Sequence, residues 1–229
     1  MQYTHLIVAI IIGLIFPLYA ILNGNKTRLL IEKDQEKLGL VFQSTGIILL
    51  SLCGLVIVSM VINSSSLQLI GLSFIFNVLY VLALIVVALI GYWAFSKYTI
   101  TDERTKKLKV DYKDVMFLLP GNQNQYKASL TVSIIAGVCE EIMFRGFLFW
   151  QLQQYMPFYA AFVLTNILFA LGHAGTKMKN ALLTFVLGIV FSTSYVLTDS
   201  LWLAIVLHIL VDFQAMIIGY KFKLKIKTL

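Results

Sequence analysis

From Leu38 to Asn63 the chain reads LGLVFQSTGIILLSLCGLVIVSMVIN without one charged residue. A helix that crosses the hydrocarbon core of a bilayer needs about 20 mostly apolar residues. Several further runs in this sequence meet that length, and this restricts the chain to very few folds. With no water to satisfy the backbone, only helices and closed barrels cross lipid, and long continuous apolar runs are the helical signature. Charged residues make up 13% of the chain and apolar residues 59%, whereas a soluble domain carries about 25% charged residues. The fold class is all-α, a polytopic transmembrane bundle.

Seven spans are expected, near 4–23, 38–63, 67–95, 128–152, 157–175, 180–198 and 200–220. The first has no basic leader region and no A-x-A-like cleavage site, so it reads as a retained span. "SSS" at 64–66 and the polar stretch 25–37 separate the first three, and short links are expected near Tyr155, Thr176 and Thr198. A polar segment covers 96–127. Within it, "MFLLPGNQNQY" leaves room for an eighth, re-entrant or interfacial piece near 115–126.

The net charge of +7 is a topology signal here and does not point to nucleic acid. All Lys and Arg except Arg145 fall in 24–37, 97–113, at Lys127, at Lys177 and Lys179, or after Tyr220. A bundle of seven spans with its N-terminus outside puts each of these groups on the cytoplasmic side, as the positive-inside rule requires. Cys53 and Cys139 sit in apolar runs and read as small buried residues, with no disulfide framework and no CxxC pair.

Spans one to three contain no acidic residue, and the ionisable ones gather in the second half. Two parts of one integral domain are therefore expected: 1–127 with the first spans and the basic loop, and 128–229 as the core that carries chemistry. A charge at mid-bilayer costs about 2.5–3.5 kcal/mol on insertion scales, so such residues face the bundle interior and serve function. Glu141 and Arg145 stand four apart and pair on one helix face. Glu140 points about 100° away from Glu141 and has no partner on its own helix. His173 closes the fifth span, and His208 lies in the seventh with Asp212 one turn later. Counting from the span ends puts Glu140 and His208 at similar depth and His173 nearer the basic face.

Each residue has a structural explanation: an ion pair that fixes packing, two satisfied core histidines, an aspartate that orients His208. Three separate helices each bearing a costly polar group are explained together by shared chemistry. A buried glutamate can act as general base toward water, with a neutral histidine to hold it or relay its proton. A second histidine can hydrogen-bond an oxyanion. The set suits hydrolysis of a peptide bond. Glu140, His173 and His208 could equally be zinc ligands, although there is no HExxH, and the sequence leaves both routes open.

The motifs "EEIMFR", "FALGH" and "HILVD", in this order on three apolar helices, resemble the EExxxR, FxxxH and Hxxx(N/D) motifs of the CAAX-protease and bacteriocin-processing family (CPBP, or Abi), over roughly 130–215. The resemblance implies an intramembrane endopeptidase of bacterial type acting on a small membrane-associated peptide or protein. By position Glu140 resembles the water-activating glutamate and His173 its assistant. His208 and Asp212 match the oxyanion pair, and Glu141, Arg145 and Phe169 match supporting positions. Bacterial members are linked to bacteriocin immunity and peptide maturation. No cofactor is expected, with zinc as the alternative, and the partners expected are the substrate and the lipid bilayer. A non-catalytic membrane module that binds a partner protein is the other reading. A proton-coupled transporter is less favoured because no two-half repeat is visible.

Overall fold

The computed structural model describes residues 2–73, 78–175 and 178–228. Among these residues it is entirely helical, with eight α-helices. Helix α1 runs through Gln2–Ile10, a π-helical turn Ile11–Ile15, and Phe16–Lys33. Helix α2 is Leu38–Ile62, α3 is Val78–Lys97 and α4 is Asp102–Asp111. Helix α5 joins Gln123–Glu140, a π-helical stretch Glu141–Leu148, and Phe149–Leu152. Helices α6, α7 and α8 are Phe158–Leu171, Met178–Thr198 and Leu201–Lys227.

Five of these are long and apolar enough to cross a membrane by length and composition: α1, α2, α3, α7 and α8. Helix α5 carries the charges Glu140, Glu141 and Arg145, and α6 has only 14 residues. Large apolar side chains stand exposed around the bundle, Ile47 at 66%, Val61 at 67% and Leu89 at 62% among them. On the outside of a bundle with a charged interior, such a surface matches acyl chains. The protein is an integral membrane protein.

Three boundaries differ from the sequence expectation, each for a local reason. The polar stretch after the first span stays helical to Lys33, rich in good helix formers and braced by Arg28 and Glu32, one turn apart at 2.8 Å. The third span does not begin at Leu67. Leu67–Ile70 is a 3-10 turn that ends on Gly71 at φ +76°, a conformation open to glycine, and the next described helix starts at Val78. Phe74 to Asn77, within that span, lie outside the described residues, as do Thr176 and Lys177 in the expected link between the fifth and sixth spans. Near 115–126 there is only the 3-10 turn Met116–Leu118 before α5 begins, while α4 forms a short helix in the basic segment. Thr101 caps α4 by accepting from the Arg104 amide at 3.3 Å, and Asp102 and Glu103 complement the helix dipole.

The links sort to two ends. At one end Gln35 Nε2 donates to the Phe117 carbonyl (3.1 Å), and Gln125 Nε2 donates to the Gln35 carbonyl (2.8 Å). At the other, His5 hydrogen-bonds Ser59 (2.6 Å) and Ser65 (3.2 Å), and the Leu201 amide donates to Gly71 (3.1 Å). The first end carries the basic loops.

The lysines of the C-terminal turns do more at that end than mark topology. Residues two apart on a helix point about 200° apart, so Lys221 and Lys225 leave one side of α8 and Lys223 and Lys227 the other. Lys221 Nζ donates to the carbonyls of Ser96 (2.6 Å), in the last turn of α3, and Tyr98 (2.9 Å), just beyond it, and Lys225 pairs with Asp102 at 3.0 Å. Lys223 donates to Leu119 (2.8 Å) and Lys227 to Gly121 (2.8 Å). The tail is thus wedged between two stretches of the basic segment. Hydrogen bonds to a charged group contribute about 1.5–3 kcal/mol. Lys221→Ala is expected to lower stability by about that amount in detergent unfolding, and an unchanged midpoint would show that the clamp contributes nothing.

Candidate active site

The site is assembled where α5, α6, α7 and α8 meet, and small residues permit the approach. A Cβ on Gly137 would lie 2.5 Å from Cγ1 of Ile209 and 3.1 Å from its backbone nitrogen, so α5 and α8 cross with no side chain between them. That crossing places Glu140 and Glu141 of one helix beside His208 of the other. Immediately after Glu140 the backbone widens into the π-helical stretch Glu141–Leu148, all eight residues of which are buried. Such stretches are uncommon and concentrate at functional sites.

Glu141 is the hub of the buried network. Its Oε1 accepts from Arg145 Nη1 at 3.0 Å and lies 2.7 Å from His208 Nδ1. A carboxylate only accepts, so Nδ1 of His208 carries the hydrogen. The other ring nitrogen, Nε2, is turned to Glu140 Oε2 at 3.8 Å and Asp212 Oδ2 at 4.0 Å. Both distances exceed hydrogen-bond length, and His208 takes its orientation from Glu141, not from Asp212. The His208 ring also stacks on Phe191, with centroids 4.9 Å apart.

Arg145 is fully buried and compensated from several sides. Its guanidinium lies 3.8 Å from the Phe169 ring centroid and 5.5 Å from that of Phe191. Ser192 accepts from its Nε at 3.4 Å and itself donates to Asn166 at 3.1 Å. Gly188 leaves room for this layer, because a Cβ there would stand 2.7 Å from Asn166 Oδ1 and 3.0 Å from Arg145 Nη2. Phe169 separates this layer from His173. Its ring centroid is 5.0 Å from that of His173, and its carbonyl lies 3.1 Å from His173 Nδ1.

Glu140 keeps 7% of its surface exposed, on the wall of a cavity of about 450 Å³. His173 lines the same cavity, as do Phe144, Phe169 and Gly172. His208 stands behind Glu140 and is not on the cavity wall. The six charged or imidazole residues read from the sequence therefore form two connected groups: Glu140 and His173 on the cavity, and Glu141, Arg145, His208 and Asp212 around the buried end of Glu140. Among the described residues no group of three or more His, Cys, Asp and Glu side chains is arranged to hold a metal ion. His208 gives its Nδ1 hydrogen to Glu141, which leaves Nε2, on the side of Glu140 and Asp212, as its one free ring nitrogen.

Sequence reasoning missed three contributors. Ser192 and Asn166 are uncharged residues in apolar helices, and only the hydrogen-bond chain from Arg145 through Ser192 to Asn166 marks them. The cavity wall on the side of α1 and α2 bears no residue with a chemical signature.

Residues 122–214 match the family described as Type II CAAX prenyl endopeptidase Rce1-like. This segment, less than half of the chain, resembles the CPBP family. The match takes in α5 to α7 and α8 as far as Gln214, and so all six charged or imidazole residues of the site. The chain is also 30% identical over 80 residues to the "Putative membrane peptidase YdiL" of Bacillus subtilis. That alignment covers 35% of this chain and 32% of the relative, so it spans about a third of the curated protein it matches. No solved structure matches the chain significantly.

Proposed function

We propose that the protein is an intramembrane endopeptidase that hydrolyses a peptide bond with water activated by Glu140. The observation that carries this reading is the position of Glu140 between the cavity and His208. Its carboxylate reaches the space a substrate would occupy, while the imidazole behind it stands 3.8 Å away. A water in the cavity would give its proton to Glu140 as its oxygen attacks the scissile carbonyl. The same proton then passes to the leaving amine.

His173 stands on the same cavity, with Nδ1 directed at the Phe169 carbonyl. A carbonyl only accepts, so Nδ1 carries the hydrogen and the nitrogen left over, Nε2, is available to accept a hydrogen bond from the water and hold it for attack. His208 and Asp212 then act from behind, tuning the charge on Glu140. This differs from the oxyanion role that the resemblance implies for them. Glu141 and Arg145 hold His208 in place. No step requires a metal.

The name of the matched family concerns prenylated CAAX substrates, and the bacterial members that the chain resembles process small peptides. We place this protein with the latter, bacteriocin-type peptides included, in a bacterial cell membrane. The basic end of the bundle then faces the cytoplasm and the N-terminus lies outside.

The test uses purified protein in liposomes with internally quenched peptides carrying an apolar anchor, each made with and without a prenylated cysteine. Cleavage above that of empty liposomes, at a rate unchanged by a zinc chelator, is expected. Failure to cut any of the peptides would favour a membrane module that binds a partner without catalysis. Loss of cleavage in chelator would restore the zinc route.

A further inference from the structure

The cavity that ends on Glu140 and His173 is walled on its far side by the half of the chain that bears no catalytic chemistry. Phe16, Tyr19, Asn23 and Thr27 of α1 line it, and so do Thr45 and Ile48 of α2. Phe117 and Leu118 also line it, on the 3-10 turn that Gln35 and Lys223 fix by donating to backbone carbonyls at the basic end. Helix α1 also touches the segment that bears His173 directly. A Cβ on Gly175 would lie 2.6 Å from the Ala20 carbonyl oxygen, so the backbone just beyond His173 rests on the backbone of α1.

Three properties of this cavity define what fits it. Its volume, about 450 Å³, is close to that of one helical turn with side chains, about 420 Å³ from a 5.4 Å pitch and a 10 Å diameter. An occupant is therefore only a few residues long where it meets Glu140. Apart from Glu140 and His173, the wall offers no Lys, Arg, Asp or second Glu among the described residues, only apolar side chains and the neutral polar groups of Tyr19, Asn23, Thr27, Ser44 and Thr45. A charge carried into such a space without a partner costs several kcal/mol. Finally, the cavity is continuous with the catalytic pair, so whatever fills it is presented to Glu140.

Resting on the peptidase reading for its role, we infer that α1 and α2 form the substrate cleft and that it accepts a short, uncharged, unwound peptide segment. The polar groups on α1 and α2 are placed to hydrogen-bond the backbone freed by unwinding, which lipid would leave unsatisfied. Selection against Lys, Arg, Asp and Glu next to the scissile bond follows from the neutral wall.

The test does not depend on catalysis. In a Glu140→Ala chain with Cys53 and Cys139 replaced by alanine, Thr45→Cys is combined with a single-span Leu/Ala peptide whose uncharged tail carries one cysteine. Disulfide capture at position 45 should exceed capture at the outward control Leu40→Cys by at least about tenfold, and a twin peptide with two lysines in the tail should be captured at the control level. A second variant, Thr45→Asp in the chain that keeps Glu140, should shift cleavage toward the lysine twin. Equal capture at positions 45 and 40, or equal capture of the two peptides, would overturn the cleft. Capture without any cleavage by the unmodified chain would instead sink the peptidase reading and leave the cleft standing.

Discussion

Glu140→Gln should abolish turnover while leaving the fold intact. The amide has the shape of the carboxyl group but cannot take a proton from water, and general base catalysis contributes about 10²- to 10⁴-fold. Among the described residues the Glu140 carboxylate makes no hydrogen bond, its approach to His208 being 3.8 Å, so little native structure depends on its charge. The expected result is a rate lowered by at least about 100-fold, with an unfolding midpoint within error of the parent. Peptide affinity should be retained, because the loss falls on the chemical step. A rate within a few-fold of the parent would move the base elsewhere, to His173 in the first instance. A collapse in stability would instead make Glu140 a structural residue.

Glu141→Ala should do the reverse and damage the fold before the chemistry. Its Oε1 holds both Arg145 (3.0 Å) and His208 (2.7 Å), and all three residues are buried. Removing one partner of a buried pair leaves an uncompensated charge and costs about 3–5 kcal/mol. Here Arg145 would keep only Ser192 and the faces of Phe169 and Phe191. The measurement is unfolding in detergent, followed by activity of whatever folded protein remains. Glu141→Gln should lie between the alanine variant and the parent, keeping one hydrogen bond to His208 or Arg145 without neutralising the guanidinium. If Glu141→Ala unfolds at the parental midpoint, the hub does not support the bundle and the orientation of His208 needs another source.

The division of labour between the adjacent glutamates was partly legible in the sequence. A spacing of four residues is enough to pair Glu141 with Arg145, and the helical angle alone separates Glu140 from them. What no local pattern could show is that Glu141 also anchors His208, 67 residues later. That contact depends on the crossing of α5 over α8 at Gly137 and on the π-helical stretch, neither of which leaves a periodic signal. The apolar runs likewise fixed the helical class, but an apolar run is blind to a polar segment that remains helical, as 25–33 does. The two-part division drawn from the positions of charges remains a proposal. It overlooked the cavity wall because a neutral wall has nothing to announce it, and the inferred cleft makes α1 and α2 part of the same functional unit. The terminal lysines carried a topological meaning in the sequence, and their second use as carbonyl clamps needed the three-dimensional register of α8 against the basic segment.

The central claim is that water held by Glu140, and no protein nucleophile, attacks the peptide bond. Cys139, a buried free cysteine next to Glu140, is the side chain best placed to challenge it. The most direct measurement is a single-turnover cleavage in ¹⁸O-water with enzyme in excess, quenched at early times and followed by intact mass spectrometry of enzyme and fragments. Direct attack by water predicts one ¹⁸O in the new carboxyl terminus, an unmodified enzyme at every time point, and undiminished cleavage by Cys139→Ala. A peptidyl mass on the enzyme that forms before the product and vanishes in Cys139→Ala would contradict it.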